Sequence, residues 1–261
     1  MLYCRIKTES GPAYAEVVER CGQLWVERLL SAAPWRTETF AGTPMEAIPL
    51  ALAPLLPPVE PGKIICVGRN YRDHAAEMGN DIPTEPLLFF KPVSSLLAPG
   101  AAIERPAISE RVDYEGELAI VIGRRLRNLQ ASEDARESIH GYTIVNDISA
   151  RDLQKKDGQW TRAKGFDTFC PVGPVVSTSL DPTTTPVTVE TRLNGDLRQR
   201  GSSADLIFPI PELLRYISAF MTLEPGDLLA TGTPAGVGPI HPGDRVEVTI
   251  PGIGTLSNPV V

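Results

Sequence analysis

The sequence predicts a strand-dominated α+β chain, and three observations carry that prediction. The 261 residues include 22 Gly and 25 Pro, which favours many turns and short strands over long helices. Short runs rich in Val, Ile, Leu and Thr are punctuated by Asn-Gly and Pro-Gly-Asp turns. Regular strand–helix–strand alternation is absent, as is any GxGxxG or P-loop context, so a nucleotide-binding fold is not expected.

Taken in order, residues 1 to about 50 are weakly patterned, with strand-like pieces such as QLWVERL. The Pro-rich stretch LALAPLLPPVEPGK (50–63) reads as a connector, which predicts a small N-terminal domain over 1–60 and a main domain over 61–261. KIICVG (63–68) has the continuous apolar character of a buried strand. RVDYEGELAIVIG (111–123) and GYTIVND (141–147) read as two more. Between them LQASEDARESIHG predicts a short helix, with Ser132 as N-cap, Gly141 past its end and His140 on its last carbonyls. VTVETRLNGDLRQRG (187–201) alternates on both sides of Asn194-Gly195, a type I′ hairpin signal. IPELLRYISAFM (210–221) predicts a helix with Pro211 in its first turn. The Pro-Gly-Asp turns at 225–227 and 242–244 launch the strands LLATGT and RVEVTI.

A hydrophobic content of 42% and a charged content of 22% are those of an ordinary globular protein. The net charge of −7, without a Lys/Arg cluster, argues against nucleic acid as a partner. MLYCRIKTESG lacks the apolar core of a signal peptide and no run is long enough to span a bilayer, so a cytoplasmic protein with no membrane partner is expected. Cys4, Cys21, Cys66 and Cys170 are far apart and have no neighbouring His, so buried, reduced thiols are expected rather than a metal or disulfide framework.

The strand at 111–123 poses the functional question. Asp113, Glu115 and Glu117 occupy alternate positions and so share one face, where like charges cost free energy unless something positive lies among them. A third oxygen donor is available at Asp147, where the run GYTIVND stops. Carboxylates without imidazole or thiolate select Mg²⁺, Mn²⁺ or Ca²⁺ over zinc. Spacing alone also fits a solvated acidic face with no metal.

The ordered set ICVGRNYRDHAAEMG, PLLFFKP, RVDYEGELAIVIG, GYTIVNDISARDLQKKDGQW, RAKGFDTFCPVGP and LLATGTPAGVG resembles the fumarylacetoacetate hydrolase family from about residue 64 to about 240. The resemblance implies a mixed β-sandwich roll, a Mg²⁺ or Mn²⁺ centre (with Ca²⁺ as a substitute) and a homodimer. It makes Glu115, Glu117 and Asp147 the metal ligands, and Asp113 a neighbour of the site or a surface residue. It makes His74 and Glu77 the water-activating dyad of a lid, with Gly79 and Asn80 suited to a hinge. Lys164 matches the lysine that holds developing negative charge. Arg69, Lys91, Arg151, Gln154, Thr231 and Thr233 match substrate-binding or site-supporting positions. From the residues themselves, Arg151 suits the second carboxylate of a diacid and equally suits pairing with Asp152 or Asp147.

The implied activity is hydrolysis of a C–C bond in a small 2,4-dioxo acid of the acylpyruvate or fumarylpyruvate type, through an enolate held by the metal. The alternatives are an oxaloacetate decarboxylase and a 2-hydroxyhepta-2,4-diene-1,7-dioate isomerase or decarboxylase of aromatic catabolism. A reading of another class is a non-catalytic metal-binding module. The substrate in the enzyme readings is a small 2-oxo or 2,4-dioxo acid.

Overall fold

The computed structural model describes residues 1–36, 42–77, 79 and 81–261. Its first strands are β1 (Leu2–Thr8), β2 (Gly11–Arg20), β3 (Gln23–Leu30), β4 (Gly42–Pro49) and β5 (Leu55–Leu56). The site-bearing part follows with β6 (Ile64–Gly68), helix α1 (Arg72–Glu77), β7 (Leu87–Lys91), β8 (Leu96–Leu97), β9 (Val112–Tyr114), β10 (Gly116–Ile122), β11 (Ile139–Asn146) and β12 (Ser149–Ala150). Helices α2 (Arg151–Asp157) and α3 (Thr161–Lys164) precede β13 (Cys170–Ser177), β14 (Thr188–Leu193) and β15 (Asp196–Ser202). Helix α4 (Ile210–Phe220), β16 (Leu228–Ala230), β17 (Gly238–Pro239), β18 (Arg245–Ile250) and β19 (Gly254–Pro259) complete the order.

Strands dominate, and the fold is α+β as expected. A twelve-stranded mixed sheet runs β4-β3-β2-β1-β13-β11-β10-β16-β6-β7, with β5 on β1 and β8 on β13. Two smaller sheets, β12-β9-β17 and β15-β14-β18-β19, pack with it. Strands β1–β5, all from the first 60 residues, continue the large sheet through the pairs Leu2–Ser177 and Tyr3–Val176. The central strand β10 is buried on both faces, so its alternation sorts side chains between two cores. Leu118, Ile120 and Ile122 join α4 and the four-stranded sheet, whereas Ala119 and Val121 join Ile64, Cys66, Val145 and Val172.

The acidic strand is not continuous. It breaks at Glu115 into β9 and β10, and β9 leaves the large sheet to pair with β12 and β17. The expected helix after residue 130 is reduced to one 3₁₀ turn, Ala135–Ser138, capped by Asp134 and not by Ser132. Strand pairing wins there: Gly141 lies inside β11, and a Cβ on it would stand 2.6 Å from the Ser177 carbonyl oxygen. The glycine thus serves a close strand–strand approach, not a helix end. Cys4, Cys66 and Cys170 are buried as expected, but Cys21 is exposed. It occupies the tight β2–β3 turn, where Cys21 and Gly22 both have positive φ.

His140 is likewise a strand residue. Its ring packs against Tyr3 and Trp35, at centroid distances of 5.6 and 6.1 Å. Burial lowers its pKa from the ordinary 6.5 to about 4. The native histidine is therefore neutral while the unfolded chain takes up a proton first. Stability present above pH 6.5 is expected to fall as pH drops toward about 4. His140→Phe should flatten that part of the profile, as checked by urea midpoints measured across this window.

Candidate active site

The break at Glu115 shapes the site. Glu115 N–H donates to Asn146 Oδ1 at 2.9 Å, and Asp147 N–H donates to Glu115 O at 2.8 Å, so the end of β11 is tied to the β9–β10 junction. Gly116 lies between the two glutamates because its other face is filled. A Cβ there would collide with Thr191 Oγ1 and stand 2.9 Å from Val248 Cγ1. Gly116→Ala is expected to cost about 1–3 kcal/mol through overpacking, measured as a shift of the denaturation midpoint.

Glu115, Glu117 and Asp147, all buried, bring one carboxylate oxygen each within 4.8 Å of one another. Lys164 bridges two of them, donating from Nζ to Glu115 Oε2 at 2.7 Å and Asp147 Oδ2 at 2.6 Å. Lys91 donates to Asp147 Oδ1 at 2.6 Å and to the Ile148 carbonyl at 3.1 Å. Arg151 donates to Glu115 Oε1, to Asp113 Oδ2 at 2.9 Å and to Gln154 Oε1 at 3.0 Å. It pairs with neither Asp152 nor Asp147, because Asp152 is taken by the Ser109 hydroxyl and the Glu110 N–H and Asp147 by the two lysines.

The charges respond accordingly. Burial would raise the Glu115 carboxyl, but Arg151 and Lys164 overcome it and hold the group well below the usual carboxylate range. Glu117 accepts from Gly232 N–H at 2.8 Å. Its carboxyl is pushed up, first by burial and then by the charges of Asp147 and Glu115. Burial opposes the Lys164 charge, but Asp147 and Glu115 keep its ammonium protonated. Three crowded, buried carboxylates of purely oxygen chemistry fit a hard divalent cation, which would relieve their repulsion.

Opposite them, helix α1 brings His74 Nδ1 to 3.3 Å from Glu77 Oε2. Glu77 also accepts Gly236 N–H at 3.0 Å, docking the helix on the loop after β16. Gly79 has positive φ, and Asn80 lies outside the described residues.

A cavity of about 640 Å³ joins these groups. Arg69, Gln154 and Thr233 line it. Thr231 and Lys91 stand behind the wall: the Thr231 hydroxyl donates to the Leu118 carbonyl, and Lys91 contacts Asp147 from the back. Thr233 donates to the Gly116 carbonyl and accepts from Gln199, which also holds Gly116 N–H. Residues not anticipated from sequence are Arg111, Lys155, Phe89 and Trp160. Phe89 packs on Trp160, and Lys164 Nζ lies 4.9 Å from the Phe89 ring centroid. Gly68 is the residue that admits Trp160, since a Cβ there would be 2.9 Å from the indole.

Residues 63–261 match the family model "Fumarylacetoacetate (FAA) hydrolase C-terminal". The chain belongs to the fumarylacetoacetate hydrolase family. Among its relatives, oxaloacetate tautomerase YisK of Bacillus subtilis is 48% identical over 210 residues, covering 76% of this chain and 69% of the relative. Two solved members of the family share its shape. The 5-carboxymethyl-2-hydroxymuconate delta-isomerase of Mycobacterium smegmatis has a TM-score of 0.88 and 45% identity, covering 100% of this chain and 99% of that one. The fumarylpyruvate hydrolase of Pseudomonas aeruginosa, in complex with Mn²⁺ and pyruvate, has a TM-score of 0.72 and 34% identity, covering 78% and 91%. These family members are enzymes that differ in reaction type. No helix among the described residues is long and apolar enough to cross a membrane.

Proposed function

We propose that this family member is a Mg²⁺- or Mn²⁺-dependent enzyme acting on a dicarboxylic 2-oxo acid of the oxaloacetate class, by keto–enol tautomerisation or decarboxylation. The observation that carries the reading is the convergence of Glu115, Glu117 and Asp147 inside a cavity faced by His74. Those three carboxylates would hold the cation, which when bound supplies Lewis-acid stabilisation of negative charge developing on the substrate.

The protein's own groups set the rest. Lys164 lies beside the cation site with its ammonium charged and offers further stabilisation of an enolate oxygen. His74, oriented through Nδ1 by Glu77, has Nε2 left to carry a proton to or from the substrate carbon or a water. Phe89 and Trp160 form an apolar side that excludes water.

The charge of the cavity supports an anionic substrate. The cavity is lined by Arg69, Arg111, Arg151, Lys155 and Lys164, and by Glu77, Asp113, Glu115, Glu117 and Asp147. The two sets offset each other and Lys91 adds a charge behind Asp147, so a bound divalent cation would leave net positive charge for an anionic substrate to neutralise. The name of the B. subtilis relative points the same way. A second reading, hydrolysis of a 2,4-dioxo acid, is favoured by the His74–Glu77 pair, which is a water-activating arrangement, and by the name of the P. aeruginosa enzyme.

The test uses metal-stripped protein given Mg²⁺ or Mn²⁺ and offered oxaloacetate, acetylpyruvate and fumarylpyruvate. Enol loss is followed by ultraviolet absorbance and pyruvate release is measured. Metal-dependent turnover of oxaloacetate is the expected result. Cleavage of the dioxo acids alone would replace the first reading with the second.

A further inference from the structure

Asp113 is a fully buried carboxylate that the chemistry above leaves without a task. Its main chain is fixed on both sides, since β9 pairs Asp113 with Ser149 of β12 and Pro239 of β17. Its side chain binds two guanidinium groups at once. Arg111 donates through Nε to Oδ1 at 2.9 Å and through Nη2 to Oδ2 at 3.1 Å, while Arg151 donates through Nε to Oδ2 at 2.9 Å. All three residues line the cavity, and the Arg111 side chain is 55% exposed at its rim.

One carboxylate cannot neutralise two guanidinium ions. Arg151 draws its second negative partner from Glu115, which is also one of the three groups that would hold the cation. With Glu115 shared in that way, Asp113 is left between two arginines with positive charge in excess. The edge of Arg111 beyond Nε and Nη2 is not engaged by Asp113 and offers donors to a ligand.

We propose that Asp113 is a positioning residue that ties Arg111 to Arg151, and that Arg111 thereby determines specificity for the second carboxylate of the substrate. The proposal rests on the reading that the substrate is dicarboxylic, and adds which side chain reads that feature.

The test is calorimetric binding of two unreactive 2-hydroxy acids, malate and lactate, to the Mg²⁺-loaded protein. They share the end that would face the cation and differ in the second carboxylate. Malate is expected to bind more tightly than lactate. Arg111→Gln should weaken malate about tenfold to a hundredfold, the range of one charge-assisted contact, and leave lactate binding unchanged. Asp113→Asn should produce the same selective loss, and Arg111→Lys should recover only part of it because lysine lacks the planar fork. The proposal is overturned if wild-type protein binds both acids equally. It is also overturned if Arg111→Gln weakens both together, or leaves malate untouched. These outcomes are independent of turnover, so an inactive but malate-selective protein would remove the proposed reaction and keep the role of Arg111.

Discussion

Lys164→Met is expected to destabilise the metal-free protein by about 3–5 kcal/mol, as breaking a buried ion network by removing one partner does. The Lys164 side chain is 2% exposed, and among the described residues it is the one cation touching both Glu115 and Asp147. Without it, Glu115 keeps Arg151 and Asp147 keeps Lys91, but the space between the two carboxylates holds no positive charge. Binding of a divalent ion by Glu115, Glu117 and Asp147 should then stabilise the variant more than the wild type, because it would supply the missing positive charge. Denaturant midpoints with and without Mn²⁺ measure both effects. Equal midpoints for variant and wild type in metal-free buffer would show that Lys164 is not the internal counterion. Turnover of the Mn²⁺-loaded variant should drop by about 10²–10³, the scale of losing one preorganised charge at a reacting oxygen.

His74→Ala should lower turnover by about 10²–10⁴, the usual worth of a positioned general acid–base group. The side chain is buried and held by Glu77, so its removal takes away both the proton carrier and the group that fills that side of the cavity. Glu77→Gln separates the two roles. The amide oxygen can still accept Gly236 N–H and keep α1 docked, but it cannot stabilise an imidazolium. A smaller loss is expected, about tenfold. The substrate dependence discriminates between reactions. Hydrolysis of a dioxo acid, which needs an activated water, should collapse in His74→Ala, whereas a tautomerisation that can draw protons from solvent should fall less. Steady-state rates on oxaloacetate and acetylpyruvate, variant against wild type, give that comparison.

Local chemistry was legible in the sequence. Asn194-Gly195 needs positive φ at both positions, and both have it. Helix α4 opens on Ile210 and Pro211 as its pattern requires, and the strand at Ile64–Gly68 follows from its continuous apolar run. Glu115, Glu117 and Asp147 were found from alternation and from a strand end, and the fold does bring them together. What was not legible depends on residues remote in sequence. The segment 139–141 has helix-end chemistry but is claimed by pairing of Ile139 with Ile122 and Gly141 with Val121. The stacked acids point to a cation from sequence, but the chain also supplies positive groups of its own in Lys164, Arg151 and Arg111. Arg111 carries no signal as a single residue. Its importance comes from Asp113 meeting β12, a juxtaposition set by the break at Glu115.

The parallel pairing of β16 with β6, through Leu228–Ile64, Leu229–Ile65 and Ala230–Cys66, has a kinetic meaning. Because the two strands run the same way, their following segments leave from one edge of the sheet. Glu77 and Gly236 are separated by 159 positions along the chain. Once the strands are zipped, however, they are joined only through the short runs 67–77 and 231–236. Loop-closure entropy grows with the logarithm of the loop, so docking of α1 starts from a high effective concentration of its partner. The sheet itself therefore brings Glu77 within reach of Gly236, so a contact remote in sequence closes as a short local loop.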